Sequence, residues 1–198
     1  MEELIDNERT DKQMRHNYLS VYGNHFEFIR NRVKAVLEIG IDKGGSLLLW
    51  ERYFPNAKIY GVDIQEVPKD LEGRERIILF PNTNAYDSNF VKQLEGLEFD
   101  IIIDDGSHNL EDMKSVIHLY APLLKKGGSL YIEDLKDESW IAELALEKVN
   151  GFSIGIQGYD LRRRTGNDDS LLACINYYKI TEEEMKQVNK IKSIFRIE

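Results

Sequence analysis

KAVLEIGIDKGGSLLLWERYFPNAKIYGVD, residues 34–63, decides the fold. Residues 34–39 are a short apolar run of strand type. Gly44 and Gly45 follow, and an amphipathic helix is predicted from about Ser46 to Phe54. Residues 58–63 repeat the strand pattern and end at Asp63. A strand, a tight turn, a helix and a second strand make a βαβ unit. Its crossover is right-handed and its two strands run parallel.

The alternation continues downstream. Residues 76–80 are a third strand, followed by a polar turn and a helix over 89–94. Residues 100–103 are a fourth strand that runs out in Asp104 and Asp105. Met113, Val116, Ile117, Tyr120 and Leu124 recur at helical spacing, which predicts a helix over 111–124 stopped by Gly127 and Gly128. A fifth strand over 129–132 and a helix over 140–149 complete this part. Residues 152–160 and 170–179 are strand-like and are separated by RRRTGNDD. No helix fits between them, so they are expected to pair as an antiparallel hairpin. The reading is an α/β, Rossmann-like doubly wound sheet with parallel strands and a C-terminal antiparallel hairpin. That order resembles the class I methyltransferase fold.

Upstream, residues 18–33 are predicted to be a helix leading into the first strand, and residues 1–15 a poorly ordered arm or short cap. Residues 181–190 are expected to close the surface as a helix. The whole is expected to be one domain: arm and helix over 1–33, catalytic core over 34–180, and a tail over 181–198.

Composition narrows the function. With 42% hydrophobic and 31% charged residues in 198, the chain can build one sizeable core. A net charge of −9 argues against a nucleic-acid partner, which usually needs a basic footprint. The local run Arg162–Arg164 reads best as a solvated hairpin surface. The acidic N-terminus is unlike a signal peptide, and no apolar run approaches the ~20 residues of a membrane span. A single cysteine, Cys174, suits the reducing cytoplasm. No membrane partner is expected. Exposed helices and the terminal hairpin offer surfaces for a homo-oligomer.

Open parallel sheets bind ligands beyond the carboxyl ends of their strands, and the unusual residues fall there. The first loop joins Glu38 to Gly40 and Gly44, glycines that let a ligand approach the backbone. Asp63 can accept ribose hydroxyls. Glu38 would repel a pyrophosphate and suits the amino group of a cationic sulfonium cofactor. Asn84, after the third strand, is expected to read an adenine edge. Asp87 beside it fits either a cofactor contact or the cap of the next helix, with the cap favoured. Asp104 either contacts the cofactor or supports its own loop. Asp105, Glu133 and Asp134 converge from the fourth and fifth strand ends. Three carboxylates at close range repel, and a hard divalent cation such as Mg²⁺ relieves this. His108, three residues after Asp105, is positioned to act as general base.

These stretches resemble the metal-dependent sugar O-methyltransferases of macrolide and polyketide biosynthesis. The resemblance rests on ThrAspLys at 10–12, His16, Tyr18, LEIG at 37–40, GGS at 44–46, FPNAKIYGVDI at 54–64, DDGSH at 104–108 and GGSLYIEDL at 127–135. It implies S-adenosylmethionine and Mg²⁺ as cofactors, with Asp105, Glu133 and Asp134 on the metal and His108 as base. The implied acceptor is a sugar or other small polyol. Asp42 stands where the first motif usually has a glycine. Cephalosporin-hydroxylase-like relatives share parts of the pattern, so a hydroxylase-like reaction stays open, as does a cofactor-binding regulatory module without catalysis. Methylation of nucleic-acid amino groups is disfavoured because no Pro-Pro motif follows the fourth strand. His16 is expected at the pocket mouth or packed at the surface. Tyr159 and Asp160 are candidates for the pocket mouth. Trp140 reads as a core aromatic, and His25 and His118 are given no chemistry.

Overall fold

The structure is a computed structural model and describes residues 1–179 and Lys186. The helix expected over 181–190 lies outside the described residues. Seven strands form one sheet: β1 (Ala35–Ile39), β2 (Lys58–Val62), β3 (Ile77–Phe80), β4 (Phe99–Asp104), β5 (Leu124–Ile132), β6 (Phe152–Asp160) and β7 (Leu171–Lys179). Their order across the sheet is β3-β2-β1-β4-β5-β7-β6. The first five strands pair in parallel, and β7 pairs antiparallel with both β5 and β6. This is the doubly wound sheet with a reversed C-terminal hairpin that the sequence predicts. The chain order reverses beside β1, so the tips of β1 and β4 form the switch point at which such sheets bind ligands.

Among the described residues, helices α1 (Leu19–Phe26), α2 (Gly45–Tyr53), α3 (Ser88–Gln93), α4 (Leu110–Tyr120), α5 (Ser139–Ala145) and the single turn α6 (Arg162–Thr165) flank the sheet. Strand alternation divides the core in two. Leu37, Ile39, Ile102, Leu130 and Ile132 face α3, α4 and α5. Val36, Ile59, Ile101, Ile103 and Tyr131 face α1 and α2. Glu38 shares the parity of Val36 and therefore enters the second layer, a carboxylate beneath Trp50.

Several boundaries differ from expectation. The α4 helix ends at Tyr120 rather than near Leu124, because Pro122 turns the chain into a 3₁₀ segment over Ala121–Leu123. Gly127 and Gly128 then lie inside β5, which begins at Leu124. The α1 helix covers only half of the predicted span, and turns follow it. One helical turn, α6, does fit at the hairpin tip. The largest difference is at the N-terminus. Instead of a loose arm, residues 9–18 are folded by Arg15 N–H to Asp11 C=O and Tyr18 N–H to Lys12 C=O bonds, and they reach into the sheet edge. No described helix is long and apolar enough to cross a membrane.

Candidate active site

The carboxyl edge of the sheet holds a cavity of about 570 Å³. Its walls come from the loops after β1, β2, β3, β4 and β5, with Arg9, Thr10 and Asp11 closing one side. Gly40, Asp63, Asn84, Asp105, His108 and Asp134 all line it.

On the β1–β3 side the carboxylate is held by backbone. Asp63 accepts hydrogen bonds from the Ile41 N–H at 2.7 Å, the Asp42 N–H at 3.3 Å and the Gln65 N–H at 2.8 Å. These fix its position while it stays only partly buried and faces the cavity. Gly40 has φ +88°, and a side chain there would meet the Asp105 carbonyl at 2.1 Å. Only glycine allows the β1 and β4 loops to touch. Asn84 is exposed, and its Oδ1 accepts from the Tyr86 N–H at 3.0 Å, which turns the amide along the cavity wall. Asp87 caps α3 by accepting from the Asn89 N–H at 2.8 Å.

On the β4–β5 side Glu133 and Asp134 are buried, Asp105 is partly buried, and side chains hold all three. Asp105 Oδ1 lies 3.2 Å from His108 Nε2, and Asp134 Oδ2 lies 3.7 Å from the same nitrogen. Ligand atoms of Asp105, His108 and Asp134 all fall within 4.8 Å of one another. The carboxylates suit a hard divalent cation with open positions, and the imidazole beside them suits proton transfer. The hydrogen bond to Asp105 raises the His108 pKa, with Asp134 and Asp104 adding to it against the cost of burial. Burial, and then the neighbouring Asp105, raise the Asp134 pKa. His108 and Asp134 both have left-handed backbone, at φ +51° and +54°. Such conformations are costly for non-glycine residues, and they cluster at functional sites.

Four candidates take other positions. Glu133 is 1% exposed: Oε2 accepts from Lys12 Nζ at 2.7 Å, and Oε1 accepts from the Tyr22 hydroxyl. Both oxygens are engaged in this way, and Glu133 lies beneath Asp105 and Asp134 without lining the cavity. Glu38 is fully buried against Trp50 Nε1 (3.1 Å) and Lys12 Nζ (3.2 Å), so it does not present a carboxylate to a ligand. Asp104 points into the α3/α4 layer and accepts from the Tyr86 hydroxyl at 2.9 Å. That hydroxyl in turn accepts from the Ser107 N–H, so Asp104 supports the loop instead of contacting the cavity. Burial pushes its pKa up to about 7. Gly44 has φ +75° and starts α2, packed on Leu71 away from the cavity lining.

The residues that the sequence left without chemistry lie mainly in the N-terminal arm. Lys12 is 1% exposed, with Nζ 2.6 Å from Asp105, 2.7 Å from Glu133 and 3.2 Å from Glu38. Burial alone would lower its pKa; the three carboxylates outweigh burial and hold it above the ordinary lysine range. The Tyr18 hydroxyl donates to Asp134 Oδ1 at 2.6 Å. His16 is 1% exposed, stacks on Tyr18 and meets Ser170 Oγ at 3.2 Å, so it is neither at the mouth nor at the surface. Tyr159 bonds His25, and Asp160 bonds Arg162; neither lines the cavity. Trp140 packs on the core, half-buried, as expected.

The FtsJ-like methyltransferase family matches residues 20–147. The chain belongs to that family. It is 33% identical over 140 residues to the 8-demethyl-8-alpha-L-rhamnosyl tetracenomycin-C 2'-O-methyltransferase of Streptomyces olivaceus, covering 67% of this chain and 37% of that one. It is 34% identical over 151 residues to the mycinamicin VI 2''-O-methyltransferase of Micromonospora griseorubida, covering 71% and 38%. The chain thus spans little more than a third of these relatives. Among solved structures it resembles the MycE methyltransferase of the mycinamycin pathway in complex with Mg and SAH, with TM-score 0.66 and 25% identity, over 84% of this chain and 51% of that one. The seven-stranded sheet and its antiparallel C-terminal strands are those of this class I methyltransferase group.

Proposed function

We propose that this chain is an S-adenosylmethionine-dependent, Mg²⁺-assisted O-methyltransferase acting on a hydroxyl of a sugar or small polyol. One observation carries the reading. The Asp105–His108–Asp134 constellation opens on the same cavity as Asp63 and Asn84, so a cofactor held by the β1–β3 loops and an acceptor at the β4–β5 loops would share one space. The relatives named above are O-methyltransferases by their names, one of them of a rhamnosyl compound, and MycE is in complex with Mg and SAH, which supports the same chemistry here.

In this reading Asp63 receives the ribose hydroxyls and Asn84 the adenine edge, while Gly40 lets the β1 and β4 loops close on one wall of the cavity. Asp105 and Asp134 hold the cation. The bound cofactors supply a sulfonium methyl and a Lewis acid that lowers the pKa of an acceptor hydroxyl. His108, beside Asp105 and at the cavity, takes the hydroxyl proton on its imidazole. The oxygen left behind would form the new bond to the methyl carbon as the methyl–sulfur bond breaks, with S-adenosylhomocysteine as the leaving group. Asp104, through Tyr86 and the Ser107 N–H, keeps the His108 loop in place. The acceptor is a small molecule in the cytoplasm. The net charge of −9 supports a partner that is neither nucleic acid nor an anionic membrane.

Calorimetric titration with S-adenosylmethionine, with and without Mg²⁺, followed by a labelled-methyl screen of sugar acceptors, tests the reading. Binding that Mg²⁺ strengthens, with label transferred to a sugar, is expected. Absence of cofactor binding overturns the whole proposal, and binding with transfer indifferent to chelation overturns the cation. Binding without transfer to any acceptor favours a regulatory module.

A further inference from the structure

The turn between β1 and α2 is held from two sides. The 3₁₀ segment Lys69–Leu71 packs Leu71 on Gly44, where an added side chain would meet it at 2.4 Å. The backbone of Arg9 lies on Gly45, where a side chain would come within 2.7 Å of the Arg9 carbonyl. The Arg9 guanidinium joins the two sides. Its Nε donates to the Lys43 carbonyl at 2.8 Å, and its Nη2 donates to the same oxygen. Nη1 and Nη2 also donate to Asp70, at 2.6 and 3.2 Å. Spanning a carbonyl and a carboxylate at once needs the planar fork of arginine. Arg9, Thr10 and Asp11 lie on the cavity wall, whereas Gly45 and Asp70 are not part of the lining. The arm is fastened again at the hairpin tip, where Asn167 Nδ2 donates to the Arg15 carbonyl at 2.6 Å. It thus crosses one side of the cavity from the β1–α2 turn to the hairpin.

We propose that Arg9 is a positioning residue for the cofactor, a clasp that closes the arm on the β1–α2 turn and slows cofactor release. The inference rests on the reading, given under Proposed function, that the β1–β3 loops hold S-adenosylmethionine. The clasped turn also supplies the Ile41 and Asp42 N–H groups that fix Asp63. With the clasp shut, the arm walls the cofactor half of the cavity, and a bound cofactor leaves as the arm lifts from Gly45. Among the described residues Arg9 bonds to nothing in the β4 and β5 loops. Its loss should therefore act on release and not on the transfer step. An ordinary structural ion pair would change stability and leave the release rate alone.

The test measures association and dissociation rates of S-adenosylhomocysteine on the immobilised full chain by surface plasmon resonance, with no acceptor present. Arg9→Ala should speed dissociation about tenfold or more, the effect of losing hydrogen bonds between charged partners. Asp70→Ala, outside the cavity, should speed it about two- to fivefold, as for an exposed ion pair. Gly45→Ala removes no hydrogen bond but pushes the Arg9 backbone away, so it should speed dissociation as well. Arg9→Lys keeps the charge without the fork and should not restore wild-type release. Association rates should change less than dissociation rates in all four. Added salt should speed release from wild type more than from Arg9→Ala, whose clasp is already open. Folded Asp70→Ala and Gly45→Ala proteins that both release at the wild-type rate overturn the inference alone, and this arm remains if Arg9→Ala fails to fold. Weaker binding by Arg9→Ala that lies entirely in slower association overturns it too. A wild type that binds no S-adenosylhomocysteine removes the proposed function along with it.

Discussion

The two halves of the carboxyl edge solve the same problem in different ways. At the tips of β1 to β3, Asp63 is held by three backbone N–H groups, from Ile41, Asp42 and Gln65, and remains open to the cavity. At the tips of β4 and β5, Asp105, Glu133 and Asp134 are held by Lys12, Tyr22 and Tyr18, side chains more than 90 positions away in the chain. Backbone amides supply partial charge wherever the loop turns, so the first arrangement is local and tolerates solvent. Several carboxylates drawn together at a partly buried edge need charges and hydroxyls brought from elsewhere. Binding and reaction therefore depend on different parts of the fold: one half on loop geometry, the other on docking of the arm.

The largest effect that would test this division is on turnover. His108→Ala should lower methyl transfer by about 10²–10⁴-fold, as for loss of a general base, and leave cofactor affinity near wild type. Single-turnover kinetics beside calorimetry checks it. Equal loss of both would mean that the halves are not separate.

Second is the stability of the reaction half. Lys12→Met leaves Glu38, Asp105 and Glu133 without their shared counter-charge, and should cost about 3–5 kcal/mol in chelated buffer. Denaturant unfolding measures this, and added Mn²⁺ should restore part of the loss through binding to the native state. An unaltered midpoint in chelator would show that the buried ion cluster does not hold the arm.

Third is a pH dependence. The Asp104 pKa is raised from 3.8 to about 7 by burial, with Asp105 nearby adding to it and the Tyr86 hydroxyl opposing it. The folded state therefore binds this proton more tightly than the unfolded chain does. The stabilisation is fully present below pH 3.8 and is lost as pH rises through about 7. Asp104→Asn keeps an acceptor for Tyr86 and cannot ionise. It should remove this contribution, on the order of a few kcal/mol, from the fall in stability between those values. Chemical denaturation of both proteins across that range reads the difference in slope.

Residues 34–63 and the alternation after them are enough to read the parallel sheet and the reversed hairpin, because burial on two faces imposes strand and helix periods that survive in the sequence. The positions of Gly40, Asp63, Asn84, Asp105, His108 and Asp134 on one cavity follow from strand ends alone. Glu38 and Glu133 were harder. Their types fit a ligand role, yet parity places Glu38 in the α1/α2 layer, and Glu133 meets Lys12 and Tyr22 beneath the cavity. Nothing near residue 12 in the chain signals a carboxylate partner, since the contacts span from 26 residues to more than 100 in sequence. Polar residues in a turn of the arm look the same whether they are solvated or buried. The stop of α4 was misread for a different reason: Pro122 acts before the glycines do.

The smallest effect tests the local half. Asp87 stands one loop from the adenine-reading position, and both cofactor contact and helix capping were open to it. In the structure its carboxylate accepts the Asn89 N–H at 2.8 Å at the start of α3, and it is not part of the cavity lining. A cap of this kind contributes about 1 kcal/mol. Asp87→Ala should lower stability by that amount and leave S-adenosylmethionine affinity unchanged, whereas Asn84→Ala should weaken binding and leave stability nearly intact. If Asp87→Ala weakens the cofactor as much as Asn84→Ala does, the β3 loop acts as a unit, and the contrast between backbone-held and side-chain-held carboxylates no longer divides the site.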